Sequence, residues 1–193
     1  MKKILALLFL VALTAGKIFA QGFTLTPDGF VNTNDEGKGF VVFETTGTQQ
    51  ELYNKAKTYL MKLYRSPKDV LSESAPETIT INGISTDAVQ KKAMGMVAVS
   101  YDMNYTIVLQ FKDGKVRVDA PSFSLYSDGS GKPIKMYLKG KSNGGVGSEV
   151  INTIYNTKGQ LKAKYAKDQL ESFFNDYIQS LINGMNESVK EDW

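Results

Sequence analysis

The chain has no cysteine and no histidine. Without cysteine there are no disulfides, so stability rests on packing even in an oxidising compartment where cross-links would be permitted. A bacterial lipoprotein is excluded too, because its lipid is attached to a cysteine at the first mature position. The two absences together remove Ser-His-Asp and Cys-His hydrolases, zinc sites with nitrogen or sulfur ligands, and haem held by histidine. Two-carboxylate glycoside chemistry, a Ser-Lys dyad and an oxygen-only metal site stay open.

Long apolar runs are equally scarce. One extends from Ile4 to Leu13, behind Lys2 and Lys3 and ahead of Thr14-Ala15-Gly16 and Ala20. It is too short for a bilayer, which needs about twenty apolar residues. The arrangement reads as a secretory signal peptide over 1–20, cleaved after Ala20. The expected mature chain has 193 − 20 = 173 residues, is periplasmic or extracellular, and contains no membrane span. Cleavage removes Lys2, Lys3 and Lys17 but no acid, leaving 23 − 3 = 20 basic residues against 20 acidic ones. A neutral chain offers no global field for nucleic acid, so no nucleic-acid partner is expected.

That length suits one domain with a good core, or a domain plus an appendage. Residues 21–38 alternate around Pro27-Asp28-Gly29 and read as an N-terminal hairpin and loop. A core strand is expected from Phe40 to Thr45. Thr48 followed by Glu51 forms a capping box, and Leu52, Tyr53, Ala56, Tyr59, Leu60, Leu63 and Tyr64 make the apolar stripe of a helix that Pro67 stops. A strand around Thr78 to Ile81 is expected to end at an Asn82-Gly83 turn, with one or two helical turns between Ser85 and Ala93. The period then changes to two, with Val97, Val99, Tyr101 and Met103 on one face and, after a turn, Tyr105, Ile107, Leu109 and Phe111. Asp113-Gly114 is a hairpin signal leading to Val116, Val118 and Ala120, and Pro121 marks an edge or a bend before Phe123 and Leu125. Residues 128–193 are expected to be a linker and a helical extension, the helix running from Leu161 through Met185.

GFVVFETTG and FKDGKVRV, in this order of strands and helices after a signal peptide, resemble a family of uncharacterised exported bacterial proteins with a TATA-binding-protein-like domain. The resemblance covers roughly Phe40 to Tyr126, and the domain is drawn at 39–127. It implies an α+β fold, a curved antiparallel sheet with helices packed on one face, leaving the other face for a ligand, a partner or a second copy. It carries over no functional residue. The fold name does not import DNA binding, because function lives in the site.

The stretch KGKSNGGVGSEV, Lys139 to Val150, carries a GKS triplet, but the Walker template needs glycine where Lys135 stands. A dinucleotide fingerprint begins at Gly145-Val146-Gly147 and fails at Val150. An exported protein would also rarely meet a nucleoside triphosphate, so the stretch reads as a linker before the last helices. Glu73 and Glu77 lie close together, but spacing alone does not set two carboxylates across a cleft. Asp28-Gly29 and Asn34-Asp35-Glu36-Gly37 do not fit a calcium loop. No catalytic, metal or cofactor residue is assigned. Tyr101, Tyr105, Tyr126, Tyr137, Tyr155 and Trp193 are candidates for a sugar- or peptide-binding surface, against the alternative that strand tyrosines cover core edges. The expected function is a non-catalytic binding or assembly module of the cell envelope. The alternatives are a histidine-free glycan hydrolase using two carboxylates, or a carrier of an apolar ligand. The partner would be an envelope protein, a glycan or an apolar ligand, or a second copy through self-association.

Overall fold

The computed structural model describes residues 21–127, 132–143 and 149–187. The expected signal peptide and Trp193 lie outside them. Among the described residues no helix is long and apolar enough to cross a membrane.

The sheet is organised around one long strand. Strand β6 (Met96–Lys112) pairs along its length with β5 (Thr78–Ala93), whose far side carries the short β4 (Leu71–Ser74). The other side of β6 is shared by β7 (Lys115–Asp119) at its carboxyl end and β8 (Ser122–Ser127) at its middle. Strands β7 and β8 follow one line, interrupted at Ala120-Pro121, the bend that a proline without an N–H donor imposes. From β7 the sheet continues to β3 (Phe40–Glu44); from β8 it continues to β9 (Ile134–Gly140) and β10 (Val150–Asn156). The fold is α+β with a large, predominantly antiparallel sheet, and β9–β10 is a parallel pair at its edge.

Three sequence expectations are corrected here. No turn separates Met103 from Tyr105: β6 is continuous, which puts its odd-numbered residues from Tyr101 to Phe111 on one face. Nor do Asn82-Gly83 and Ser85 to Ala93 form a turn and helical turns, because they continue β5, with a register shift between Ser85 and Val89 and Asp87 at φ 53. A bulge of this kind takes up two extra residues without ending the strand. Finally, much of the expected linker is strand. Val150, Ile151, Ile154 and Tyr155 suit a pleated surface, and they place the glycine-rich stretch between β9 and β10 instead of ahead of a helix. Residues 144–148 of that stretch lie outside the described residues, while Asn143 is fixed to β10 by its Nδ2 on the Glu149 carbonyl (2.6 Å) and by the Ile151 N–H on its Oδ1 (2.9 Å).

Two helices cover one face. Helix α1 (Gln49–Leu63) starts at the capping box read from the sequence: Thr48 accepts from the Glu51 N–H, and the Glu51 carboxylate accepts from the Thr48 N–H at 2.7 Å. Its buried stripe is Leu52, Tyr53, Ala56 and Leu60, each large side chain contributing about 1.5–3 kcal/mol by leaving water. A single turn, α2 (Pro67–Val70), leads into β4. Helix α3 (Lys164–Glu187) begins three residues later than its apolar pattern suggested, and Leu161 stays partly exposed. It buries Leu170, Phe174, Ile178, Leu181 and Met185.

The amino-terminal hairpin, β1 (Phe23–Thr26) and β2 (Gly29–Asn32), lies against α3. Phe23, Leu25 and Phe30 are buried, and the Phe30 ring meets Phe174 edge-on with centroids 5.1 Å apart. The outer edge of β1 is completed by helix side chains. Asn175 accepts from the Phe23 N–H (2.8 Å) and donates to the Phe23 carbonyl (3.0 Å), while Glu171 accepts from the Leu25 N–H (2.7 Å). Gln169 makes the same paired contact with the backbone of Gln90 on β5. Helix α3 thus ties the hairpin and the sheet together by polar contacts as well as by its apolar stripe.

Candidate functional site on the helix-free face

Strand alternation decides which side chains the helices leave uncovered. Ile79 and Ile81 of β5, Met103, Tyr105 and Ile107 of β6, and Leu125 of β8 point toward the helices. Their neighbours Asn82, Ile84, Asn104, Thr106, Ser122 and Ser124 therefore share the opposite face. The register aligns them across three strands: Asn82 opposite Thr106, Thr106 opposite Ser122, Ile84 opposite Asn104, and Asn104 opposite Ser124. Together they line a groove of about 510 Å³ whose floor is formed at Gly83, Tyr105 and Phe123. Thr106 donates to the Asn82 Oδ1 at 2.9 Å, which fixes that amide. Ile84, 71% exposed, gives the groove one apolar wall.

Gly83 is needed for the floor to close. A Cβ there would lie 2.2 Å from the buried ring of Tyr105, so only glycine lets that ring cross the strand. A second groove, of about 480 Å³, adjoins the first at Phe123 and Ser124 and extends over Tyr126, Lys135, Tyr137 and Leu138. The Lys135 ammonium pairs with Glu149 at 2.7 Å, and the carboxylate pushes its pKa up. Tyr137 is exposed at the side of this trough.

Of the five aromatic candidates among the described residues, Tyr105 lies in the floor of the first groove, and Tyr126 and Tyr137 border the second. Tyr126 is half-buried and Tyr137 exposed, and both line the second groove. Tyr101, Tyr105 and Tyr155 belong to the core. Their polar ends are occupied: Asn152 donates to the Tyr101 oxygen (2.9 Å), Tyr155 donates to the Leu25 carbonyl (2.6 Å), and Tyr105 shares a hydrogen bond with Tyr64 (3.2 Å). Tyr64 in turn bonds Tyr177 (2.7 Å), and burial raises the pKa of all three of these phenols. The cluster ties the end of α1 to β6 and α3.

Neither carboxylate singled out from the sequence reaches the trough. Glu73 sits on the edge strand β4, where it accepts from the Tyr53 hydroxyl and pairs with Lys57 at 2.8 Å. The Lys57 hydrogen bond, with that of Tyr53, holds its pKa below the usual value. Glu77 lies in the turn between β4 and β5. Asp28 pairs with Lys139, and Asp35 with Lys38. Among the described residues no group of three or more acidic side chains gathers as a metal site would require.

The groove residues themselves escaped the sequence reading. Asn82 and Asn104 stood where turns were expected, so their two-residue spacing from Ile84 and Thr106 went unused as a strand signal.

Residues 41–126 match the model of a family described as a domain of unknown function (DUF4468) with TBP-like fold. The fold is TBP-like. The DUF4468 match runs from β3 to β8 and so contains the strands of the first groove, whereas Tyr137 and α3 lie beyond it. A TBP-like protein from Parabacteroides distasonis ATCC 8503 superposes with a TM-score of 0.53 at 13% identity, over 76% of this chain and 90% of that one. A DUF4468 family protein from Bacteroides ovatus ATCC 8483 gives a TM-score of 0.45 at 16% identity, over 76% of this chain and 86% of that one. No curated protein matches the chain.

Proposed function

We propose that the protein is an exported, non-catalytic binding module of the cell envelope, and that its ligand is a neutral, hydroxyl-rich molecule such as a glycan held in the trough. The observation that carries this reading is the chemistry of the first groove: two amides, three hydroxyl side chains, one aliphatic wall and no carboxylate. Amides and hydroxyls both donate and accept, which matches the alternating donors and acceptors of a sugar edge. Tyr137, on the neighbouring groove, adds a ring with a polar tip, the surface on which sugars stack. Glycoside hydrolysis needs two carboxylates across the ligand, and the first groove supplies none. A carrier would enclose an apolar cavity, whereas the space between this sheet and its helices is filled by Phe111, Phe174, Leu60, Ile81 and their neighbours. Export follows from the reading of residues 1–20.

The test is direct binding. Protein recovered from the exported fraction is applied to an array of neutral and acidic envelope oligosaccharides, and the hits are titrated by calorimetry. The expected result is saturable binding of neutral glycans that Asn104→Ala and Tyr137→Ala each weaken roughly tenfold, the loss of one hydrogen-bonded or stacked group. Binding unaffected by both variants, or none to any oligosaccharide, would overturn the reading; release of cleaved sugar would replace it with hydrolysis.

A further inference from the structure

Beyond Gln90 none of the described residues covers the β5–β6 ribbon. Residues 91–98 are all exposed, and the chain reverses through Met94 and Gly95, both at positive φ (51 and 78), between the paired residues Ala93 and Met96. Two-residue turns of this kind favour Asn-Gly or Asp-Gly, because both central residues adopt the left-handed conformation. A side chain that is neither Asn nor Asp is uncommon there. Here the position holds methionine, 99% exposed, with Met96 at 71% and Val97 at 50% beside it. The tip thus combines an unfavourable backbone state with apolar side chains held in water, where a polar residue would relieve both.

What covers the tip is indicated by the charge behind it. Lys91 and Lys92 stand next along β5, and among the described residues no carboxylate pairs with either. Between Asp87 and Asp102 the chain has no acidic residue at all. Two residues of strand, roughly 7 Å, separate Lys92 from Met94. That spacing fits the roughly 5–10 Å to which interfacial apolar groups enter a bilayer below the headgroups. A protein groove for Met94 and Met96 would not require two ammonium groups at this height. A layer of phosphates above acyl chains does, because lysines keep their charge at the headgroups while their stems cover apolar surface.

We infer that the β5–β6 tip docks the protein on an anionic lipid surface, with Met94, Met96 and Val97 entering the acyl boundary and Lys91 and Lys92 at the phosphates. The inference is independent of the groove and of its ligand.

Because the chain contains no cysteine, Met94→Cys provides a unique thiol for an environment-sensitive fluorophore. Vesicles of mixed phosphatidylglycerol and phosphatidylethanolamine are expected to shift the label's emission to the blue. Pure phosphatidylcholine vesicles, and a label on Thr106→Cys, are expected to give no shift. In co-sedimentation of the unlabelled protein with the anionic vesicles, Met96→Asp is expected to lower partitioning roughly tenfold or more, the effect of keeping one large apolar side chain out of the lipid. Lys91→Glu with Lys92→Glu is expected to abolish it, and added salt to weaken it. The tip positions are exposed and Thr106 is half-buried, so melting temperatures serve as a check that the variants fold. An unshifted Met94→Cys label with the anionic vesicles, or equal partitioning of native protein and Met96→Asp, overturns the inference; this includes the case in which the tip docks a protein instead.

Discussion

Gly83 and Glu73 show how single positions act through what they face. Adding a Cβ at Gly83 drives it into the Tyr105 ring at 2.2 Å, and that ring is wedged among Phe173, Phe174 and Tyr177. Gly83→Ala is therefore expected to destabilise by about 1–3 kcal/mol, the usual range for overpacking, measured as a lower denaturant midpoint. Glu73 acts through charge. Its pKa is held down in the folded state by Lys57 and Tyr53, so its contribution is present above the unfolded value of 4.5 and is lost as pH falls through the lower folded value. Glu73→Gln is expected to lower stability slightly at neutral pH, only slightly because the Lys57 pair is partly exposed, and to leave the acid limit unchanged, so that the acid side of the stability–pH curve flattens.

Among the elements, the amino-terminal hairpin depends most on one neighbour. A two-stranded ribbon is marginal in water, and β1–β2 is held by the Phe23, Leu25 and Phe30 side chains and by the Asn175 and Glu171 contacts. Asn175→Ala leaves the Phe23 N–H and carbonyl without partners, at a cost of about 1–3 kcal/mol. Faster amide exchange is expected first in β1, ahead of the central strands. Thr48→Ala removes one half of the α1 capping box and is expected to cost about 1 kcal/mol, read from thermal unfolding.

The whole molecule responds to pH through its buried phenols. Tyr64, Tyr105 and Tyr177 have raised pKa values because burial disfavours the phenolate, so their contribution is complete below the unfolded value of 10.0 and is lost as pH rises above it. Alkaline unfolding beginning near pH 10 is expected. Tyr177→Phe is expected to shift its onset upward, at some loss of stability at neutral pH from the broken bond to Tyr64. Phe174→Asp puts a charge where Phe30, Phe123, Phe173 and Tyr105 converge and is expected to leave no folded protein at ambient temperature.

Helix α1 was legible in the sequence down to its cap because its determinants are local: Thr48 and Glu51 are three residues apart, and its stripe repeats every three or four. The period-two faces of β6 and β7, the Asp113-Gly114 hairpin and the bend at Pro121 were legible for the same reason. The chemistry excluded by the lack of histidine and cysteine followed from composition alone. What the sequence left open depended on partners distant along the chain. Gly83 looks like a turn until Tyr105 occupies the space above it, and Val150 to Tyr155 becomes a strand because β9 lies beside it. The groove exists only where β5, β6 and β8 come into register, and neither its width nor its mixture of amides and hydroxyls is encoded in any one segment. Tertiary structure likewise decided which tyrosines are core and which face water: Tyr105 and Tyr137 have similar strand surroundings in the sequence, but the described helices cover only one face of the sheet.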